Sequence, residues 1–199
     1  LEYRIIAALS GAKRLVKIFN DPKGDPHTDM AEFVFGAEKF RSLPKEKRKT
    51  IRMITKRVVY GLGYGAEDKK LTDTLLEDRK LPLEVRAELT QARVREIMDG
   101  FFAANPEVKP WREGLVQLVN AQGYIEIPPL GRRRYFPLPA DRNKVFNWPV
   151  QTMGSDIVNL AIVQIHERLP RDAWVIIHGH DAVYVECEAC RGKRYNRET

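Results

Sequence analysis

The sequence predicts an α+β protein with a strand-like start, a helical middle and a β-rich end. Three observations predict it. Apolar residues recur at helical spacing from Ser10 to about Gln122. Two pairs of short runs rich in β-branched and aromatic residues follow Gly123. Clusters of Gly and Pro mark the joints between these stretches. With 199 residues and 43% hydrophobic content, the chain can bury a real core, as one domain or one and a half, and is not a disordered segment.

The elements follow in order. Residues 1–19 alternate polar and apolar, with helical spacing after Ser10. Asp21 to Pro26, with two prolines and a glycine, is a loop. Met30, Phe33 and Val34 predict a helix over His27–Phe40. A basic helix from Lys45 to about Tyr60 begins with Ser42 as N-cap or Pro44 in its first turn, and ends in Gly61-Leu62-Gly63-Tyr64-Gly65. Leu83–Phe102 reads as one amphipathic helix and Trp111–Gln122 as another, closed by Gly123. Tyr124–Ile127 and Arg133–Phe136 form a hairpin around Pro128-Pro129-Leu130-Gly131. Asp156–Leu169 is a helix with Ile157, Leu160, Ala161, Val163 and Ile165 on one face. Trp174–Ile177 and Ala182–Val185 are strands, with His178-Gly179-His180-Asp181 as the turn between them.

Composition narrows the classes of function. The longest apolar runs are too short to span a bilayer, so no membrane is expected. Cys187 and Cys190 do not make a disulfide framework, which points to a reducing, cytoplasmic setting. Leu1-Glu2-Tyr3-Arg4 is no signal peptide, and the chain reads as a piece of a longer protein. The 34 Lys+Arg against 27 Asp+Glu give a formal net charge of +7. That excess suits a phosphate-binding surface as well as an ordinary solvated one.

Three constellations could carry chemistry. Arg52, Lys56 and Tyr60 recur at i, i+4, i+8 and so share one stripe of a helix, with Tyr64 beyond it. Two cations in line followed by rings suit a triphosphate and its base. On spacing alone, a solvated basic helix with tyrosines in the core is the commoner arrangement. Asp181, after His180 on a tight turn, is a rigid place for a divalent ion, although a turn aspartate usually has no such task. Asn147 and Gln151, before a helix, carry carboxamides that can read minor-groove acceptors. Cys187 and Cys190 are at most half of a zinc site, and more simply two thiols on a tail.

In this order and spacing the pieces resemble the motifs of family A, DNA polymerase I-like DNA polymerases. Arg52, Lys56, Tyr60 and Tyr64-Gly65 look like motif B, His180-Asp181 like motif C, and Leu1-Glu2-Tyr3-Arg4 with Leu9-Ser10-Gly11 like the tail of motif A. Further matches are His27-Thr28 with Val34-Phe35-Gly36, Gly123 to Glu126, Gly131 to Tyr135, and Asn147-x-Pro149-x-Gln151 ahead of Asp156. The resemblance covers residues 1 to about 188. It implies a polymerase palm, an antiparallel sheet backed by helices, at residues 1–20 and 131–199, with α-helical fingers inserted at 21–130. It implies a monomer acting on primer–template DNA and dNTPs with two magnesium ions, or manganese in their place. The setting would be the cytoplasm, at the nucleoid, or the host's if phage-encoded.

The resemblance also implies residue roles. Asp181 would bind the metal ions and be catalytic. Lys56 would be catalytic too, protonating the leaving pyrophosphate. Arg52 and Lys56 would grip the triphosphate, Tyr60 would pack on sugar and base, and Tyr64 would stack at the template position. Glu2 would be the steric gate against a ribose 2′-OH. His180 would lie near the primer terminus. Asn147, Gln151, Arg132 and Arg133 would contact DNA, although on composition Arg132-Arg133-Arg134 equally fits a solvated hairpin.

Two departures bear on activity. The family's first metal-binding aspartate falls upstream of Leu1, so the chain as given is expected not to catalyse. Motif C commonly has a second acid where Ala182 stands, which implies lowered or altered activity. A single-subunit RNA polymerase of the same architecture is an alternative, opposed by Glu2. A degenerate, non-catalytic DNA-binding protein is another, opposed by the presence together of Arg52, Lys56, Tyr60 and Asp181. Tyr60, which is phenylalanine in many family members, implies tolerance of dideoxynucleotides. Chain-termination assays on the full-length protein should therefore show ready dideoxynucleotide incorporation that Tyr60→Phe reduces. Strong discrimination that Tyr60→Phe leaves unchanged would refute this.

Overall fold

In the computed structural model, residues 1–79, 81–179 and 182–187 are described. The first ten residues, expected to be strand-like, form helix α1 (Glu2–Ser10), which closes on Gly11 at φ 67°. Burial explains the difference. Tyr3 and Ala7 enter one apolar cluster, while Ile5 and Ile6 enter another. A helix buried on two sides has no single apolar stripe, so its sequence mimics alternation. Helix α2 (Lys13–Asn20) follows, and Asp25 caps α3 (Pro26–Phe35) by accepting from the backbone N–H groups of His27 and Thr28.

Several predicted helices are broken. The stretch His27–Phe40 divides at Gly36 (φ 81°, ψ 124°) into α3 and α4 (Ala37–Ser42). Ser42 does not cap the basic helix. Its hydroxyl donates to the carbonyl of Lys39, and Pro44 precedes α5 (Lys45–Gly63). Helix α6 (Asp68–Glu77) has no counterpart in the sequence reading. Leu83–Phe102 is two helices, α7 (Leu83–Ala87) and α8 (Gln91–Ala104), because Thr90 turns extended and its hydroxyl accepts from the N–H of Arg93. Helix α9 (Val108–Gln122) begins before Trp111. Pro110 fits in its first turn, where a missing N–H breaks no helical bond.

The hairpin β1 (Tyr124–Ile127) and β2 (Arg132–Tyr135) pairs antiparallel, with Tyr124 opposite Tyr135 and Ile127 opposite Arg132. Its buried face is Ile125 and Ile127. Helix α10 (Arg142–Arg168) starts fourteen residues earlier than the predicted Asp156, capped by Asp141 and running through Pro149. The segment Asn147–Gln151, expected to lead into the helix, is part of it. Pro149 is buried within α10, and packing of α10 on α1 and α9 supports a helix that lacks one N–H. The last pair, β3 (Ala173–Gly179) and β4 (Ala182–Cys187), is antiparallel, with Gly179 opposite Ala182. The predicted turn residues His180 and Asp181, and Cys190, lie outside the described residues.

Three apolar clusters hold these elements. The largest takes Leu15, Met30, Val58, Leu62, Ile97 and Phe101, among others, from α1 to α9. A second packs Val119, Ile125, Ile127, Phe136, Val145 and Phe146. The third, Ile5, Ile6 and Val150, sits between α1 and α10, and Trp111 packs against both it and the first. Trp174, Ile176, Ile177 and Tyr184 on the last hairpin are exposed. No described helix is long and apolar enough to cross a membrane.

The link from α5 toward α10 depends on Gly65. Its φ is +76°, and an added Cβ would stand 2.5 Å from Asn143 Oδ1 and 3.2 Å from the ring of Phe146. Gly65→Ala should destabilise the protein by roughly 1–3 kcal/mol, read as a lowered midpoint in urea unfolding. An unchanged midpoint would mean that the contact relaxes freely.

Candidate functional site

Helix α5 presents Arg52, Lys56 and Tyr60 along one side. Arg52 forms a two-point ion pair with Asp25, Nε to Oδ2 at 2.7 Å and Nη2 to Oδ1 at 3.1 Å. Its Nε also lies 3.2 Å from Thr28 Oγ1. Burial alone would raise the Asp25 carboxyl. Hydrogen bonds from Arg52, Thr28 and the His27 backbone, with the charge of Arg52, outweigh it and hold the group well below the usual carboxylate range. Lys56 Nζ stands 5.7 Å from the centre of the Tyr60 ring, and among the described residues no carboxylate pairs with it.

His27 fills the space between this side of α5 and α1. Its ring stacks on Tyr3 at 5.5 Å and meets Tyr60 at 5.6 Å. It is 8% exposed, and its Nδ1 has no hydrogen-bond partner. Burial first, then the charges of Arg52 and Lys56, lower its pKa from 6.5 to about 4, against a smaller opposing effect of Asp25.

A second cluster joins three distant segments. The Tyr64 hydroxyl donates to Glu2. Gln151 Nε2 donates to Glu2 Oε1 at 2.7 Å and to the Tyr64 hydroxyl oxygen at 3.2 Å. Burial, followed by the hydrogen bond to Glu2 and its charge, pushes Tyr64 up to about 12. Burial and the charge of Glu2 also raise Tyr60, which links the two clusters electrostatically. Beside them lies a cleft of about 240 Å³ whose lining includes Leu1, Glu2, Gln151, Ser155, Asn159 and His178. His178, on β3, brings the last hairpin to that cleft.

The remaining candidates are spread more widely. Asn147 lies one turn before Gln151 on α10, and its buried Oδ1 has no partner. Arg132 Nε is 2.8 Å from Oδ1 of Asp156, which is wholly buried, though neither Asp156 oxygen receives a well-aligned hydrogen bond. Arg133 pairs with Glu126 across the first hairpin. Both arginines thus have carboxylate partners within the protein and keep about half of their side-chain surface exposed. His180 and Asp181 lie outside the described residues. Among the described residues no three His, Cys, Asp or Glu side chains gather as a metal site.

Sequence reasoning assigned no role to Asp25 or Arg112. The Asp25-Pro26 pair is a helix-start signal, but its ionic partner is 27 residues away and leaves no local mark. Arg112, on α9, is 8% exposed. It donates to the carbonyl of Leu62 at the end of α5, and its guanidinium lies 5.4 Å and 5.2 Å from the ring centres of Phe102 and Phe146. Burial lowers its pKa to about 10, so it stays charged at neutral pH. A cation on the last carbonyls of a helix is favourably placed.

Comparison with known proteins places this arrangement. A model of DNA polymerase family A matches residues 1–198. The chain is 28% identical over 204 residues to the thermostable DNA polymerase I of Thermus thermophilus, covering 98% of this chain and 22% of that protein. It is 29% identical over 169 residues to the DNA polymerase of Mycobacterium phage D29, covering 83% and 24%. It therefore spans about a fifth of the length of the curated relatives it matches. Among solved structures, the POL domain of Pol1 from M. smegmatis, in complex with DNA primer-template and dNTP, superposes with a TM-score of 0.70. That match has 24% identity over 97% of this chain and 33% of the other, and it shows a shared fold.

His27 predicts a pH dependence. Its folded pKa, about 4, lies below its ordinary 6.5. The unfolded chain therefore binds the proton more tightly, and stability is full above pH 6.5 and falls as pH drops toward 4. Asp25, with its depressed carboxyl, adds a loss only at lower pH. Urea unfolding should lose on the order of 3 kcal/mol across that window. His27→Gln should lack most of this slope, and an equal slope in the variant would remove His27 as its source.

Proposed function

This chain belongs to DNA polymerase family A, and from that premise we propose that it is the palm-and-fingers part of a template-directed DNA polymerase. The observation that carries the reading is the convergence of Glu2, Tyr64 and Gln151, from residues far apart in sequence, in one hydrogen-bonded cluster beside the Arg52–Lys56–Tyr60 side of α5. In this reading residues 21–130 are the fingers, and 1–20 with 131–199 the palm. The partners are primer–template DNA and dNTPs, in the cytoplasm, with the protein acting as a monomer.

The primer 3′-hydroxyl gives up its proton to water, and its oxygen attacks the α-phosphorus in line. A new P–O bond forms, the bond to the bridging oxygen breaks, and pyrophosphate leaves. Arg52 and Lys56 neutralise the triphosphate, and Lys56 delivers a proton to the pyrophosphate. Tyr60 packs on the nucleotide sugar and base, and Tyr64 stacks at the template position. Glu2 fills the space that a 2′-OH needs. Asn147 and Gln151 donate to minor-groove acceptors, and Arg132 and Arg133 meet backbone phosphates. His180 is the residue proposed to meet the primer terminus. Positioning and electrostatics supply most of the acceleration.

The described donors do not by themselves fit a pair of magnesium ions, as no three of them converge. Asp181 is the carboxylate proposed to hold such ions, or manganese, which when bound stabilise charge on the attacking and leaving oxygens.

Primer extension by the full-length protein, with Mg²⁺ and dNTPs, tests the proposal. Extension is expected, and Asp181→Ala should abolish it. Glu2→Ala should raise ribonucleotide incorporation by a factor on the order of 100, the scale set by removing a steric clash of about 3 kcal/mol. Tight primer–template binding with no extension would instead identify a non-catalytic DNA-binding protein.

A further inference from the structure

Arg52 enters its proposed task with one edge already occupied. A guanidinium carries five N–H groups in a planar fork. Asp25 takes the edge formed by Nε and Nη2, at 2.7 Å and 3.1 Å. Thr28 closes the ring, donating from Oγ1 to Asp25 Oδ2 at 2.8 Å and lying 3.2 Å from Nε. Among the described residues nothing takes Nη1. The free edge, with both hydrogens of Nη1 and the second of Nη2, has the two-point geometry that suits a phosphate.

Asp25 is itself anchored without help from Arg52. Its Oδ1 accepts from the backbone N–H of His27 at 3.1 Å and of Thr28 at 3.4 Å, so the N-terminus of α3 holds it. The order of support therefore runs from helix N-terminus to carboxylate to guanidinium. The side chains are 40% and 39% exposed, and a pair so exposed contributes little to stability. Its effect is on orientation, since a free arginine side chain would have many rotamers to lose on binding a phosphate.

We propose that Asp25 is a positioning residue for the nucleotide triphosphate, fixing one edge of the Arg52 guanidinium so that the other edge is presented to phosphate. This rests on the polymerase reading and adds to it a residue with no assigned role. The opposite arrangement is a carboxylate that competes with phosphate for the same fork, and it makes the opposite prediction.

Asp25→Asn removes the charge and keeps the cap, because Asn and Asp cap helices about equally well. In single-nucleotide incorporation by the full-length protein, KM for dNTP should rise about tenfold, the factor for one side chain no longer held, with kcat changing far less. In an Arg52→Lys background the same substitution should add nothing. Calorimetric binding of inorganic tripolyphosphate should weaken about tenfold in Asp25→Asn as well. That readout needs no polymerisation. A protein that extends no primer yet shows this loss would refute the polymerase reading and keep the inference. Unchanged or tighter tripolyphosphate binding with an unchanged or lowered KM overturns the inference. So does an equal loss in the Arg52→Lys background, which would show that the Asp25 charge acts by a route other than the Arg52 guanidinium.

Discussion

Burial of α1 on two opposite sides fixes much else in this molecule. Tyr3 and Ala7 pack into the helical cluster, while Ile5 and Ile6 pack toward Val150 of α10. A nine-residue helix held in this way can neither roll nor slide without exposing apolar surface, at roughly 25 cal/mol per Å². Glu2 is in its first turn, so its carboxylate is set where both Tyr64 and Gln151 reach it. Tyr3, on the neighbouring side, forms the platform on which His27 stacks.

The position of α5 is likewise over-determined. Val58, Val59 and Leu62 bury one side of it. Arg112 holds the carbonyl of Leu62 at its C-terminal end. Asp25 holds Arg52 on the exposed side. Helix α3 repeats this device, since Glu32 takes Arg41 of α4 through both its oxygens, and Asp29 takes two N–H groups of Arg14 of α2 on Oδ2. Such exposed pairs add little stability, but each sets the orientation of two elements.

The sequence carried the α+β class, the basic helix, both hairpins and the glycine that closes α9, because each leaves a local signature of period, turn residue or cap. It misread elements whose state depends on distant partners. Residues 1–10 looked strand-like because a helix between two cores lacks one apolar stripe. The predicted helix at Asp156 began fourteen residues late because a sequence does not show the packing that carries a helix through a proline. The breaks at Gly36 and Thr90 came from single caps inside otherwise continuous patterns.

For the candidate site, the stripe Arg52–Lys56–Tyr60 follows from helical spacing alone, since 3.6 residues per turn aligns i, i+4 and i+8. Its chemistry does not, because a solvated basic helix has the same spacing. Tertiary structure decided which groups surround that stripe: His27 without a partner for its Nδ1, Asp25 across 27 positions, and Glu2 with Gln151 across 149. Contacts over such separations arise from how helices pack, through summed apolar burial over the whole chain. The sequence by itself determined which residues could share one side of a helix, and the fold decided which of those sides meet.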